Sequence, residues 1–152
     1  MEIKKLQAKE LYKLVELFDY ADADAVVSEC AERMRQGAED IFVLLEKGIL
    51  AGELHAMYQS DDARFAIRGK RAYLFAFRIR ENFQNQGYGK KLIKTVLTIL
   101  REKGYNEFTV GVESGNLRAK HIYQEMGFTE FVCRKTETYQ GDSYEFDLYL
   151  KK

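Results

Sequence analysis

Residues 72–91 read AYLFAFRIRENFQNQGYGKK, and the fold follows from where this run changes character. Up to Phe77 it is apolar or aromatic on both faces, the pattern of a strand near the middle of a sheet and covered from both sides. A polar turn follows. From Gly87 onward Leu92, Ile93, Val96, Leu97, Ile99 and Leu100 recur at helical spacing, and the pattern stops at Gly104, a residue common just past a helix end. This is the strongest helix of the chain. Phe108-Thr109-Val110-Gly111-Val112 then makes another strand. Strand, helix and strand within about forty residues fit a right-handed crossover with parallel strands.

The turn itself reads Gln84-Asn85-Gln86-Gly87-Tyr88-Gly89-Lys90-Lys91. Glycines at a helix start let a ligand reach the backbone, and the first-turn amides point outward from the positive end of the dipole. That makes an anion site. The dipole supplies only about 0.3–1 kcal/mol per charge at an exposed position, so several N–H bonds to one pyrophosphate must provide most of the grip. A Walker A loop needs glycine where Gln84 stands, and a dinucleotide fingerprint needs one where Leu92 stands; neither pattern is met.

Outward from this unit, Leu11, Leu14, Val15 and Phe18 predict an amphipathic helix over residues 8–18. A second helix carries Val26, Val27, Cys30 and Met34, capped by Ser28 or an earlier Asp and ending near Gly37. Residues 41–45 and 49–58 form a hairpin around Gly48, and the charged segment 59–71 reads as a surface loop. A helix over 115–126 and strands over 129–138 and 143–150, joined across Gln140-Gly141-Asp142, complete the chain. There is no internal repeat.

Composition narrows the function. The chain has 152 residues, 24 Lys+Arg against 24 Asp+Glu, and a pI near 6.8, without a basic tail. Non-specific nucleic-acid binding needs clustered cations and is not expected. The longest apolar runs fall far short of the roughly 20 residues that cross a bilayer, and residues 1–18 lack the apolar core of a secretory signal, so a cytoplasmic protein without a membrane segment is expected. Cys30 and Cys133 are the only cysteines and have no CxxC spacing, which argues against a disulfide framework or a thiolate zinc site. No HExxH or similar ligand spacing occurs, so no metal is expected.

Asn116, Ala119, Tyr123, Gly127 and Phe128 are spaced N-x-x-A-x-x-x-Y-x-x-x-G-F on the helix after the next strand. Together with Gln84, Gly87 and Gly89, in the order Gln or Arg, two residues, Gly, one residue, Gly or Ala, this pattern resembles the GNAT superfamily of acyl-CoA-dependent N-acetyltransferases. Phe77 and Ile79 fall where that family has apolar strand residues, so the resemblance covers residues 72–128.

The resemblance implies a single α/β (α+β) domain over residues 1–152. Its sheet would be mixed, mostly antiparallel and six- or seven-stranded, with a splayed central parallel pair and flanking helices. It implies acetyl-CoA as co-substrate in the cleft between residues 77–79 and 110–112. The backbone of Phe77, Arg78 and Ile79 would contact the pantetheine arm as an added strand does. The amides of Gln86, Gly87, Tyr88, Gly89 and Lys90 would hold the pyrophosphate, with Gln84, Asn85, Lys90 and Lys91 around it. Asn116 and Ala119 belong to the same cofactor-binding motif, Asn116 having a helix cap as its alternative role. Tyr123 matches the family's general acid.

Many relatives carry a catalytic carboxylate on the central strand, but residues 72–79 contain none. Glu113, just past the parallel strand, is the first choice for general base, followed by Glu81 and His55. His121 has no acidic residue at i−4 and reads as packing or solvent-facing. Glu81 also stands where relatives often have proline.

The expected reaction is attack of a primary amine, a small molecule or amino acid, on the thioester. Protein or peptide acetylation and a non-catalytic acyl-CoA-binding regulatory module stay open, the latter favoured by the missing strand carboxylate. Acceptor recognition falls to the first two helices, loop 59–71 and the last hairpin, where Tyr139 and Tyr144 flank the turn. Asp19, Asp22, Asp24 and Asp61 offer attraction for a cationic amine or are plain surface carboxylates. The resemblance also leaves a homodimer open, for which the apolar strand over 144–150 offers pairing across a two-fold axis.

Overall fold

The computed structural model describes residues 1–17, 22–139 and 141–152. Seven strands form one sheet: β1 (Glu2–Lys5), β2 (Glu39–Glu46), β3 (Ile49–Met57), β4 (Arg71–Ile79), β5 (Glu107–Glu113), β6 (Glu130–Tyr139) and β7 (Asp142–Lys151). Their order across the sheet is β1-β2-β3-β4-β5-β7-β6. Only the central pair, β4 and β5, is parallel; every other neighbour is antiparallel. Among the described residues four helices accompany the sheet: α1 (Tyr12–Leu17), α2 (Ala23–Arg35), α3 (Tyr88–Glu102) and α4 (Leu117–Glu125). The mixed sheet with a central parallel pair is the architecture expected from the sequence.

Alternation along the strands sorts the core into two layers. Phe42 and Leu44 face α3, whose buried stripe Leu92, Ile93, Val96, Leu97 and Leu100 also covers Leu54, Leu74, Phe108 and Val110. Each such side chain stabilises the fold by about 1.5–3 kcal/mol on burial. Ile41 and Val43 point the other way, against Leu11, Leu14 and Cys30 of the N-terminal helical segment and α2. On that second face Tyr73 and Phe75 of β4 stack with ring centroids 5.3 Å apart.

Several expectations change. β1 was not anticipated; its four residues lie on the edge against β2, too short and too charged to show a clear period. The helix expected over 8–18 is instead a 3-10 turn at Ala8–Glu10 followed by α1, and Phe18 lies outside the described residues, as do Asp19 and Gln140. Of the two caps considered for α2, Asp22 is the one used: its Oδ1 accepts from Ala25 N at 3.1 Å, and Ser28 sits inside the helix. The terminal strand cannot pair across a two-fold axis, because β7 already has β5 on one side and β6 on the other. The edges are β1 and β6.

Candidate active site

The parallel ladder between β4 and β5 stops early. Its last pair is Leu74 with Val110, and beyond it β5 continues along β7 as far as Glu113 paired with Phe146. On the other side the register of β4 with β3 slips between His55–Phe75 and Glu53–Arg78. Ala76 takes up the extra residue with φ +50°, a left-handed conformation that costs a non-glycine residue about 1–2 kcal/mol. This bulge turns the second half of β4 away from β5. A cleft of about 330 Å³ opens between them, with Phe77, Gly111, Glu113, Asn116 and Tyr123 among its walls.

Below the bulge, Phe77 and Ile79 point toward the start of α3, where an added Cβ on Gly89 would lie 3.0 Å from Phe77 Cζ. Arg78 turns to the opposite face, its Nη2 3.3 Å from Glu53 Oε1. Gln84 Nε2 donates to Ile79 O at 2.9 Å and closes the turn after β4. Asn85 has φ +62° and Gly87 φ +83°, and α3 begins at Tyr88. The first hydrogen bond of α3 runs from Lys91 N to Gly87 O, so the amides of Tyr88, Gly89 and Lys90 end the helix without an intrahelical acceptor. They face a cavity of about 400 Å³ lined by Gln84, Asn85, Gly87, Lys90 and Arg118.

Two contacts clamp α4 over this loop. Arg118 Nη2 donates to Asn85 Oδ1 at 2.6 Å, and Lys90 Nζ lies 2.8 Å from Glu125 Oε2. Arg118 is the residue the sequence reading passed over. A cation in the first turn of α4 opposes that helix's dipole, and this was the signal available for it. Other side chains of the loop are held within the chain. Tyr88 donates through its hydroxyl to Glu46 Oε2 at 3.2 Å, and Gln86 Nε2 donates to Asn82 O at 3.1 Å. Lys91 is exposed.

Tyr123 is buried in the cleft, its ring centroid 6.2 Å from Phe77 and 5.8 Å from Phe128. Burial raises its pKa far above the ordinary phenol value, so the hydroxyl keeps its proton at neutral pH. Asn116 caps α4, its Oδ1 accepting from Ala119 N at 3.0 Å, which realises the helix-ordering alternative. Glu113 is exposed where the cleft meets a second cavity of about 510 Å³ between α2 and the sheet. Both cavities are lined by the same four residues at the splay: Phe75, Ala76, Gly111 and Glu113. Gly111 is required there, because a Cβ would stand 2.9 Å from Tyr73 Oη and 3.2 Å from Phe146.

Of the other base candidates, Glu81 is exposed on the 3-10 turn Glu81–Phe83 and lines neither of these two cavities. His55 lines the larger one but is not a lone histidine. Its Nδ1 lies 3.2 Å from Glu39 Oε2 and its Nε2 3.4 Å from Glu53 Oε1, all three side chains being buried. Burial pulls the His55 pKa down, but contacts with Cys30, Glu39 and Glu53 outweigh it and hold the imidazole well above its ordinary value. Arg33 Nε extends the chain of charges to Glu39 Oε1 at 2.6 Å. His121 is exposed and pairs with Glu125 at i+4, 2.9 Å away.

Comparison with known proteins agrees with this geometry. A ribosomal-protein-alanine N-acetyltransferase from Brucella melitensis superposes with a TM-score of 0.77 at 17% identity, covering 99% of both chains. The yncA protein of Salmonella typhimurium, a putative acetyltransferase solved with its cofactor acetyl-CoA, superposes at 0.71 and 17%, covering 99% of this chain and 92% of that one. In sequence, human N-acetyltransferase 8B is 36% identical over 62 residues, 41% of this chain and 27% of that protein's length, so this chain answers to only part of it. The model of the Acetyltransferase (GNAT) family matches residues 5–128. That span runs from the end of β1 through the splay, the glycine loop and Tyr123 to Phe128, and on it the chain belongs to the Acetyltransferase (GNAT) family.

Proposed function

We propose that this chain transfers the acetyl group of acetyl-CoA to a small primary amine by direct attack on the thioester. The observation that carries the reading is the bulge at Ala76, which lies where the 330 Å³ cleft between β4, β5 and α4 meets the 510 Å³ cavity on the α2 side. Two reactants can then meet from opposite faces of the sheet.

Acetyl-CoA supplies an acyl group already activated toward amines. The amides of Tyr88, Gly89 and Lys90, together with Arg118, suit the pyrophosphate: open donors at a helix start and a guanidinium beside them. The main chain of Phe77, Arg78 and Ile79, freed from β5, suits an amide-bearing arm. Tyr123 Oη, kept protonated by burial, gives a proton to the departing sulfur.

A lysine-like amine is only about one part in two thousand neutral at pH 7, so its proton must be removed. Glu113 takes that proton; it is the carboxylate that borders both the cleft and the acceptor cavity. Aromatic residues Tyr73, Phe75 and Phe146 and a bounded volume favour a small acceptor over a folded protein surface. In solution we expect a cytoplasmic, single-domain enzyme.

Calorimetric titration with acetyl-CoA, paired with thiol release over a panel of small amines and peptides, tests this reading. Binding with turnover on small amines supports it. Turnover confined to peptides moves the acceptor to proteins, binding without any turnover favours a regulatory module, and absence of binding removes the cofactor assignment.

A further inference from the structure

The acyl-transfer reading leaves one group of reactive side chains without a task. Cys30 on α2, Glu39 at the start of β2 and His55 on β3 are 4%, 1% and 2% exposed. One ligand atom from each, the thiol sulfur, a carboxylate oxygen and a ring nitrogen, lies within 4.8 Å of the other two. We propose that Cys30, Glu39 and His55 form a binding site for a thiophilic divalent cation of the zinc class.

Several observations carry this. The 3.2 Å between His55 Nδ1 and Glu39 Oε2 is close to the spacing of two ligands on a tetrahedral ion with bonds of about 2.0–2.1 Å. The opposite ring nitrogen, Nε2, is buried without a formed hydrogen bond, and Glu53 Oε1 stands 3.4 Å from it, near enough to serve as the outer carboxylate that fixes tautomer and ring orientation in metal-bound histidines. Cys30 and His55 also line the 510 Å³ cavity, which gives an ion a route in and leaves a fourth position for water.

A cation already marks the spot. Arg33 Nε lies 2.6 Å from Glu39 Oε1 and its Nη2 3.5 Å from Cys30 Sγ, so the guanidinium touches two of the three donors. Its side chain is 31% exposed and can swing to solvent when an ion enters. The thiolate and the carboxylate then balance the dication, while the thiol proton and the proton between His55 and Glu39 leave to water. Sulfur in the donor set selects zinc or cadmium over magnesium or calcium. The filled site places a dication in the wall of the larger cavity.

The test is titration of the full chain with cadmium, followed by its ultraviolet thiolate-to-metal absorption, and calorimetry with zinc. We expect saturation at one ion per chain, with no magnesium binding. The absorption disappears in Cys30→Ala and stays in Cys133→Ala. Glu53→Gln weakens zinc binding about tenfold. Arg33→Ala tightens it, because a competing cation is removed, and this gain keeps the test decisive if Cys30→Ala fails to fold. An absorption that follows Cys133, non-saturating binding, or an Arg33→Ala variant that binds zinc no better than the parent overturns the proposal. None of these readouts depends on acetyl transfer.

Discussion

Leu74 and Val110 are the last residues to face each other across the parallel strands, and two positions later Ala76 adopts φ +50°. The strain and the opening of the sheet therefore sit at one place. Ala76→Gly relieves the left-handed conformation without closing the cleft and should stabilise the protein by up to about 1 kcal/mol, less than the full strain because glycine loses more entropy on folding. Ala76→Val should destabilise it. Denaturant midpoints of both variants check the pair; a Val variant as stable as the parent would show that the bulge is not strained.

Gly87 also has positive φ, +83°, but with nothing within 4 Å of an added Cβ. Conformation alone limits it. Asparagine tolerates this region and valine does not, so Gly87→Asn should keep most acetyl-CoA affinity while Gly87→Val loses at least about tenfold. Calorimetry on the two variants decides, with circular dichroism to verify the fold. Equal affinities would remove the phosphate-loop assignment.

Tyr123→Phe deletes one buried hydroxyl and keeps both ring contacts. Turnover should fall about 10²- to 10⁴-fold with acetyl-CoA affinity nearly unchanged, the range for a lost general acid. Full activity would mean that water protonates the leaving sulfur.

The raised pKa of His55 predicts a pH dependence of stability. In the unfolded chain histidine titrates near about 6.5. The folded state binds the proton more tightly, so this contribution is complete below about pH 6.5 and is lost as pH rises through the elevated folded value. Urea midpoints measured with a chelator present should fall as the pH is taken above 7. His55→Gln should flatten that slope; an unchanged slope would assign it to other groups.

Leu100 is fully buried at the C-terminal end of the α3 stripe. Leu100→Ala should cost about 2–5 kcal/mol, read as a lower thermal midpoint with acetyl-CoA binding retained at low temperature.

The α3 unit was legible because a period of 3.6 over fifteen residues, ended by glycine, has few competing readings. The glycine loop and Tyr123 were legible by motif. The Glu39–His55 contact was not. Counted from the Lys47-Gly48 turn, a regular hairpin pairs Glu46 with Ile49 and Leu45 with Leu50, which would set Glu39 opposite Ala56. A bulge between Leu44 and Leu45 shifts the register by one, so Glu39 pairs with Met57 and comes to share a face with His55. Nothing in the residue types there announces it. The bulge at Ala76 was hidden for the same reason: alanine is a poor signal for left-handed backbone.

β6 touches the sheet only through β7, which follows it in the chain. Until β7 is made, β5 has a bare edge beside the cleft and β6 has nothing to join. The final hairpin therefore joins the sheet as one unit, and it completes a wall of the larger cavity through Glu137, Tyr144 and Phe146. Loss of residues 142–151 would strip two strands from the sheet, although only one is deleted.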